Sequence, residues 1–217
     1  MSDSCYLCEA TSDLTLDHVP SANLFPPPRP SNLITVACCA TCNNSYSKDD
    51  EAFRLWVSSS IFRSPAGDWI WHNKVLGSTL PRSPKLHENL KRFVGSTKIF
   101  TDAGIVEMPT FSIPQRRAIR YLTRITKGLL RHFYPDYDYA SDIFRTFHVP
   151  STERGVQRVQ ELVPLLIFDE RGKGVFRFWR GFATDVANSG IWVYIFYDGA
   201  CFIVFNRHKD LPFPNEA

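Results

Sequence analysis

Two cysteine pairs with the same internal spacing constrain this sequence most. Cys5-Tyr-Leu-Cys8 and Cys39-Ala-Thr-Cys42 each separate two cysteines by two residues, and 30 residues lie between the pairs. A pair with this spacing forms a tight turn that presents two thiolates, and two such turns complete a tetrahedral site for zinc. The sequence therefore predicts a structural zinc ion bound by Cys5, Cys8, Cys39 and Cys42.

The six cysteines could instead form three disulfides in a secreted protein. Five of the six lie within the first 42 residues, and the sequence shows no secretion signal, so metal binding is the better interpretation. Cys38 and Cys201 are predicted to be packed side chains. No stretch reaches the roughly 20 apolar residues of a membrane helix. We therefore expect a soluble cytoplasmic protein with no membrane partner.

The first part of the chain, residues 1–63, reads as a zinc-clamped ββα module. Apolar and β-branched residues predict short strands at 14–16 and 33–36, and a helix is predicted to begin near Cys39 and to run toward Arg63. Zinc would clamp the start of the strand pair to the start of the helix.

Residues 64–217 differ in character and are predicted to form a second, α+β part of unknown role. A turn is expected at 64–68, a helix at 84–94 and a hairpin that joins 98–100 to 105–108. A long helix is expected from Pro114 to about His132. The last segments, 174–182 and 190–205, predict an antiparallel β meander with a tight turn at 197–200. The predicted fold class is therefore α+β: the zinc-clamped module, a helical region and a C-terminal antiparallel meander.

The long helix carries a basic stripe. Its cations recur at helical spacing, and no acidic residue occurs from 116 to 131. Such a stripe is either a solvated helix face or a surface that contacts nucleic-acid phosphates. Residues 1–50 hold two basic and six acidic residues and so carry −4, which leaves +7 for the remainder of a chain of net charge +3. The candidate nucleic-acid-binding residues are Arg116, Arg120, Arg124, Lys127 and Arg131.

The strands of the predicted meander are apolar on both faces. A sheet of this kind must be covered on both sides, either by helices or by a second copy of the chain. Trp192, Tyr194 and Phe196 are accordingly interpreted as core or dimer contacts rather than as platforms for stacking bases.

A second group of polar residues lies close to the cysteine pairs. A site closed by four thiolates leaves no open coordination position, so any chemistry requires other residues. Asp17 and His18 lie between the pairs, Asn32 precedes the second predicted strand, and Asn43 directly follows the last cysteine. Neighbouring residues on a regular strand point to opposite faces, so we expect the backbone to leave strand geometry at Asp17 and His18.

The order Cys-x2-Cys, Asp-His, Asn-Leu, Cys-x2-Cys-Asn resembles HNH endonucleases of the zinc-clamped kind, which are ββα-metal or His-Me finger nucleases. The resemblance covers about residues 5–50, and residues 64–217 resemble no family. It implies that Asp17 and Asn43 hold one magnesium or manganese ion and that His18 is the general base. Asn32 would orient His18 or its loop.

The resemblance implies a metal-dependent endonuclease that hydrolyses phosphodiester bonds of DNA, or of RNA. The basic helix and the C-terminal part would hold the nucleic acid or form a homodimer. An alternative from a different class is a zinc module that binds nucleic acid or protein without cleaving it. A third hypothesis, a defence or stress toxin gated by its C-terminal part, depends only on the small size and the unfamiliar second region.

Overall fold

A computed structural model describes residues 4–84, 88, 94–101, 104–111, 115–182 and 189–211 of the chain. The strands are β1 Leu14–His18, β2 Thr35–Cys39, β3 Val94–Thr101, β4 Gly104–Phe111, β5 Asp142–Val149, β6 Ile167–Arg171, β7 Phe176–Phe182, β8 Ser189–Phe196 and β9 Ala200–His208. The α-helices are α1 Ala40–Ser45, α2 Ser47–Ser58, α3 Pro65–Ile70, α4 Leu80–Arg82, α5 Gln115–Phe133 and α6 Glu153–Leu162, and a π-helical segment, Trp71–Thr79, joins α3 to α4. This order of elements confirms the expected mixed α+β class.

The N-terminal module consists of a strand pair and the helix that follows it. β1 and β2 pair in antiparallel register, from Leu14 opposite Cys39 to His18 opposite Thr35. This pairing brings the start of β1 next to the end of β2, where the chain enters α1 directly after Cys39. The predicted ββα arrangement with a cysteine cluster is therefore confirmed.

The helix of this module is divided in two, whereas the sequence predicted one continuous helix. Tyr46 separates α1 from α2. The hydroxyl of Ser45 donates to the carbonyl oxygen of Cys42 at 2.7 Å, a local side-chain bond of the type that competes with regular helical bonding. The interruption positions the ring of Tyr46 beneath Arg120 and Arg124.

The C-terminal part is built on a five-stranded antiparallel sheet with the order β5-β9-β8-β7-β6. The predicted meander is its β7-β8-β9 portion, and the tight turn is confirmed, with positive φ angles of 49° at Tyr197 and 59° at Asp198. The sequence did not predict β5 or β6. Both are edge strands, and charged residues within them weaken the apolar pattern that identifies a strand.

The long helix α5 confirms the prediction and lies between the N-terminal module and the sheet, since it contacts α2 and β2 as well as β5 and β9. Phe53 of α2 stacks on Tyr121 of α5 with ring centroids 4.0 Å apart, and meets the edge of Phe196 of β8 at 5.0 Å. Core side chains from residues 1–63 and from residues 64–217 thus pack in one cluster. The proposed boundary at residue 63 stays a prediction.

α5 approaches the module closely at a glycine. A Cβ atom added to Gly128 would lie 2.6 Å from one methyl group of Val19 and 3.0 Å from the other. Val19 follows directly after β1 and is only 2 % exposed, so its branched side chain has no free space to enter. The absence of a side chain at Gly128 therefore permits α5 to pack against Val19, the residue after β1.

Gly128→Ala should consequently lower the free energy of unfolding, by about 1–3 kcal/mol for an overpacked contact. In an unconstrained helix the same substitution gains about 1 kcal/mol, so the sign of the change is diagnostic. Urea denaturation measures it, and the exposed Arg116→Ala serves as the control on the same helix. A stabilised Gly128→Ala variant would contradict the close packing of α5 on Val19.

The inner face of the sheet is covered, whereas its outer face is covered only in part. α6 packs over one end of the outer face and leaves a groove of about 280 Å³ lined by Trp179, Ile195 and Val159. Phe147 is 51 % and Phe168 is 52 % exposed. Helices thus cover one side of this apolar sheet, and the homodimer stays a prediction.

Two further predictions concern residues 64–94. The turn expected at 64–68 is wrong, because Ser64 caps α3 by accepting a hydrogen bond from the Gly67 backbone, with Pro65 as the first helical residue. The helix expected at 84–94 falls largely on residues outside the described ones. None of the helices that the structure describes is long and apolar enough to cross a membrane.

Candidate functional site

The four predicted metal ligands lie together at the junction of the strand pair and α1. The sulfur atoms of Cys5, Cys8, Cys39 and Cys42 all lie within 4.8 Å of one another. The Cys42 backbone amide donates to the sulfur of Cys39 at 3.4 Å, which fixes the turn that presents both thiols. The four cysteines could therefore hold a metal ion such as zinc.

The surroundings of this four-cysteine cluster favour a thiolate at Cys5. Burial opposes ionisation, but backbone amides of Cys39, Leu7 and Cys8 are directed at the sulfur and together lower the pKa of Cys5 to about 6. Cys38 differs, because burial and the nearby Cys5 raise the pKa of its thiol well above the ordinary range. Cys38 is fully buried and lies outside the four-cysteine cluster, as predicted.

Asp17 is bound by an arginine from a distant part of the chain. Nη2 of Arg124 donates to Oδ1 of Asp17 at 2.6 Å and to Oδ2 at 2.7 Å, and Nε donates to Oδ2 at 3.1 Å. The hydroxyl of Tyr6 donates to the same Oδ2 at 2.7 Å. Both charged residues are only 4 % exposed. The carboxylate that was predicted to bind a divalent cation therefore binds a guanidinium.

Two further oxygen donors complete the surroundings of this guanidinium. Nη1 of Arg124 donates to Oδ1 of Asp50 at 2.6 Å, and Oδ1 of Asn43 accepts from Nη2 at 3.5 Å. The amide nitrogen of Asn43 donates to the hydroxyl of Thr15 at 3.3 Å, which orients the amide oxygen toward Arg124. We call Tyr6, Asp17, Asn43, Asp50 and Arg124 the Arg124 cluster.

Burial and charge oppose each other in the Arg124 cluster. Burial raises the pKa of Asp50, and the negative charge of Asp17 adds to the rise, while Arg124 acts in the opposite direction. Burial lowers the pKa of Arg124, but Tyr6, Asp50 and Asp17 more than offset this and hold it above its usual range. Arg124 is thus a permanent cation between two acids.

β1 remains a regular strand through its last residue, so the expected departure from strand geometry at Asp17 and His18 is wrong. Asp17 pairs with Val36 and His18 with Thr35 in continuous register. Their side chains alternate across the strand pair, and only Asp17 bonds to Arg124. His18 is partly exposed and, within the described part of the chain, its ring has no hydrogen-bond or ion-pair partner.

His18 is nevertheless close to the Arg124 cluster. His18, Ser21, Tyr121 and Arg124 line one narrow crevice. The hydroxyl of Tyr121 is buried there without a hydrogen-bond partner among the described residues. Asn32 is exposed in the turn before β2, and no hydrogen bond among the described residues joins it to His18.

The basic stripe of α5 faces the N-terminal module over part of its length. Arg124 is buried and bonded to Asp17 and Asp50. In this structure it therefore neither lies on a solvated helix face nor is accessible to a nucleic-acid phosphate. Arg120 lies 3.5 Å from the Asp49 carboxylate and is half exposed. Lys127 lies over the ring of Phe144, with 5.6 Å to its centroid. Arg131 donates a hydrogen bond to the hydroxyl of Ser4. Arg116, near the start of α5, is exposed to solvent.

Asp50 was not predicted to be part of a site, and Arg124 was predicted to bind nucleic acid. One signal could have paired them. The acidic run that contains Asp49 and Asp50 belongs to a segment of charge −4, and the basic helix belongs to a remainder of charge +7. Opposite charges of this size favour contact between the two segments, although charge counts alone do not select the partner residues.

The chemistry of the Arg124 cluster fits a hard cation. Carboxylate oxygens of Asp17 and Asp50 and the amide oxygen of Asn43 are ligands that magnesium and manganese prefer. All three converge on one positive group, and in the structure that group is the guanidinium of Arg124. The oxygens of Asp17 and Asn43, which the resemblance assigns to a divalent ion, thus face the guanidinium of Arg124.

The chain was also compared with known proteins. No family model, no curated protein and no solved structure matches it.

Proposed function

We propose that this protein is a nuclease of the zinc-clamped HNH kind, which hydrolyses phosphodiester bonds of nucleic acid. The observation that carries the proposal is the convergence of the Asp17, Asp50 and Asn43 oxygens on one cation, beside the four-cysteine cluster and next to His18. The four sulfurs and the three oxygen-bearing residues all belong to residues 5–50 of the chain.

Zinc in the four-cysteine cluster has a structural role in this proposal. It would join the Cys5–Cys8 turn, which precedes β1, to the end of β2 and the start of α1. β1 carries Asp17 and His18, and α1 carries Asn43. Four thiolates close the coordination sphere of zinc, so that ion performs no hydrolysis.

His18 is the general base in this proposal. Its ring is partly exposed and makes no hydrogen bond within the described residues, so it is free to accept a proton from an attacking water. Asp17, Asp50 and Asn43 would hold a magnesium or manganese ion. When bound, the ion supplies Lewis-acid stabilisation of the charge on the phosphate and the leaving oxygen.

A second candidate function is favoured by a specific observation. Because Arg124 takes the position of the cation, the module would be stable without any divalent ion and could serve as a non-catalytic zinc module that binds nucleic acid or protein. Arg116, Arg120 and other exposed cations of α5 would then contact phosphates.

The test is nicking of supercoiled plasmid by the full-length, zinc-loaded protein with magnesium or manganese. His18→Ala should reduce the nicking rate about 10²- to 10⁴-fold, the usual contribution of a general base. Its thermal unfolding should match that of the wild type, because His18 has no bonded partner among the described residues to lose.

His72→Ala is the matched control, since His72 is 58 % exposed and lies on a different helical segment, Trp71–Thr79. It should nick plasmid at the wild-type rate. Equal nicking rates for His18→Ala and the wild type would favour the non-catalytic zinc module. The absence of nicking by both proteins with either divalent ion would favour it as well.

A further inference from the structure

We propose that Arg124 is an internal cation that keeps divalent ions away from the oxygens of Asp17, Asp50 and Asn43 in the free protein. This inference rests on the proposed function for the identity of these oxygens as ion ligands. It adds a regulatory role for Arg124, which the basic stripe of α5 alone does not indicate.

Competition follows from shared ligands. A divalent ion at this position would need the Asp17 oxygens, both of which already accept hydrogen bonds from Arg124 at 3.1 Å or less. It would also need Oδ1 of Asp50, which accepts from the same guanidinium at 2.6 Å. The ion and the guanidinium therefore cannot bind at the same time.

Arg124 is held firmly in this position. Nη1 and Nη2 bond the two acids from opposite ends of the guanidinium fork, and Nε lies 3.2 Å from the hydroxyl of Tyr6. The centroid of the Tyr46 ring lies 4.7 Å from the guanidinium carbon of Arg124, which adds a cation–π contact. A buried fork with partners on every side resists exchange with a dissolved ion.

The charge balance nevertheless favours a divalent ion once Arg124 is absent. When Asp17 and Asp50 are both ionised, one guanidinium leaves the cluster with a single negative charge, whereas a divalent ion neutralises both acids.

The experiment is a manganese titration of the full-length, zinc-loaded protein, in which the paramagnetic resonance signal of free manganese reports binding. Arg124→Met removes the cation and keeps a side chain of similar length. This variant should bind one manganese ion per chain at least roughly tenfold more tightly than the wild type does. The reason is that the carboxylates of Asp17 and Asp50 are no longer paired with Arg124, and the number of charged ligands available sets the affinity of such sites. Adding Asn43→Ala to Arg124→Met should reduce this gain.

Arg120→Met is the matched control, since Arg120 lies one turn away on the same face of α5 and makes the same change in charge. It should bind manganese as the wild type does. Circular dichroism checks the fold of each variant. If Arg124→Met does not fold, Arg124→Gln, which retains polar contact with the acids, replaces it in the same titration.

The inference is overturned if the wild type binds manganese as tightly as the Arg124 variant, or if the variant gains no more than Arg120→Met. The plasmid assay separates this result from the proposed function. A manganese gain in Arg124→Met without nicking by any protein would support the role of Arg124 and contradict the nuclease. Nicking by the wild type, without tighter manganese binding by Arg124→Met, would support the nuclease and contradict the role of Arg124.

Discussion

Cys5→Ser should release the bound zinc and lower the free energy of unfolding by several kcal/mol. Binding of structural zinc is coupled to folding, so the loss of one thiolate removes binding energy that the folded state alone receives. Cys5 lies in the core, where backbone amides of Cys39, Leu7 and Cys8 favour its thiolate. A serine hydroxyl at that position is a poor zinc ligand, and its neutral oxygen is a weaker acceptor for these amides than a thiolate.

Two measurements check this expectation: metal content by elemental analysis, with one zinc per chain in the wild type, and thermal unfolding with and without a chelator. Cys38→Ala is the matched control, because Cys38 is also fully buried and its sulfur lies only 3.9 Å from that of Cys5, outside the four-cysteine cluster. It should retain its zinc. Equal unfolding temperatures for Cys5→Ser and the wild type would contradict a structural zinc.

Asp17→Ala should destabilise the protein by about 3 kcal/mol. Removing one partner of a buried ion pair leaves the other charge without compensation, which typically costs about 3–5 kcal/mol. The lower end applies because Arg124 would still pair with Asp50 at 2.6 Å. The loss of the acceptor for the Tyr6 hydroxyl adds to the cost.

Asp49→Ala provides the comparison, and urea denaturation measures both variants. Asp49 is as buried as Asp17, but its partners Arg117 and Arg120 are nearly half exposed and lie 3.5–3.9 Å away. Pairs in which the cation remains solvent-exposed and lies beyond direct hydrogen-bond distance are expected to contribute about 1 kcal/mol or less. Similar losses in the two variants would mean that the Arg124 cluster is no more important for stability than the surface pairs of α5.

Local sequence patterns predicted the elements whose signal lies within a few residues. The cysteine spacing identified the four-cysteine cluster, and the apolar period of Leu122, Ile125 and Leu129 identified α5 nearly to its ends. The turn at 197–200 was predicted because Asp198 and Gly199 are residue types that favour tight turns. β5 and β6 were missed because strands rich in polar residues resemble loops when read without their partners.

The candidate site could be predicted only in its composition. Asp17, His18 and Asn43 were selected from their order along the chain, and Asp17 and Asn43 do share a site. Asp50 and the actual role of Arg124 were not predicted. Arg124 and Asp17 are 107 residues apart in the sequence. A helix with periodic basic residues has the same sequence pattern whether those residues face solvent or an acidic surface.

The sequence by itself determined the spacing of the four sulfurs, the long basic helix and the opposite charges of the two parts of the chain. Only the tertiary structure decided which cation meets Asp17 and that His18 continues a regular strand beside it. The physical reason is range: turn geometry and helical period are set by neighbouring residues, whereas a buried ion pair forms only where packing excludes water around two distant groups. In this protein the packing of α5 against Val19 and Tyr46 places Arg124 next to Asp17.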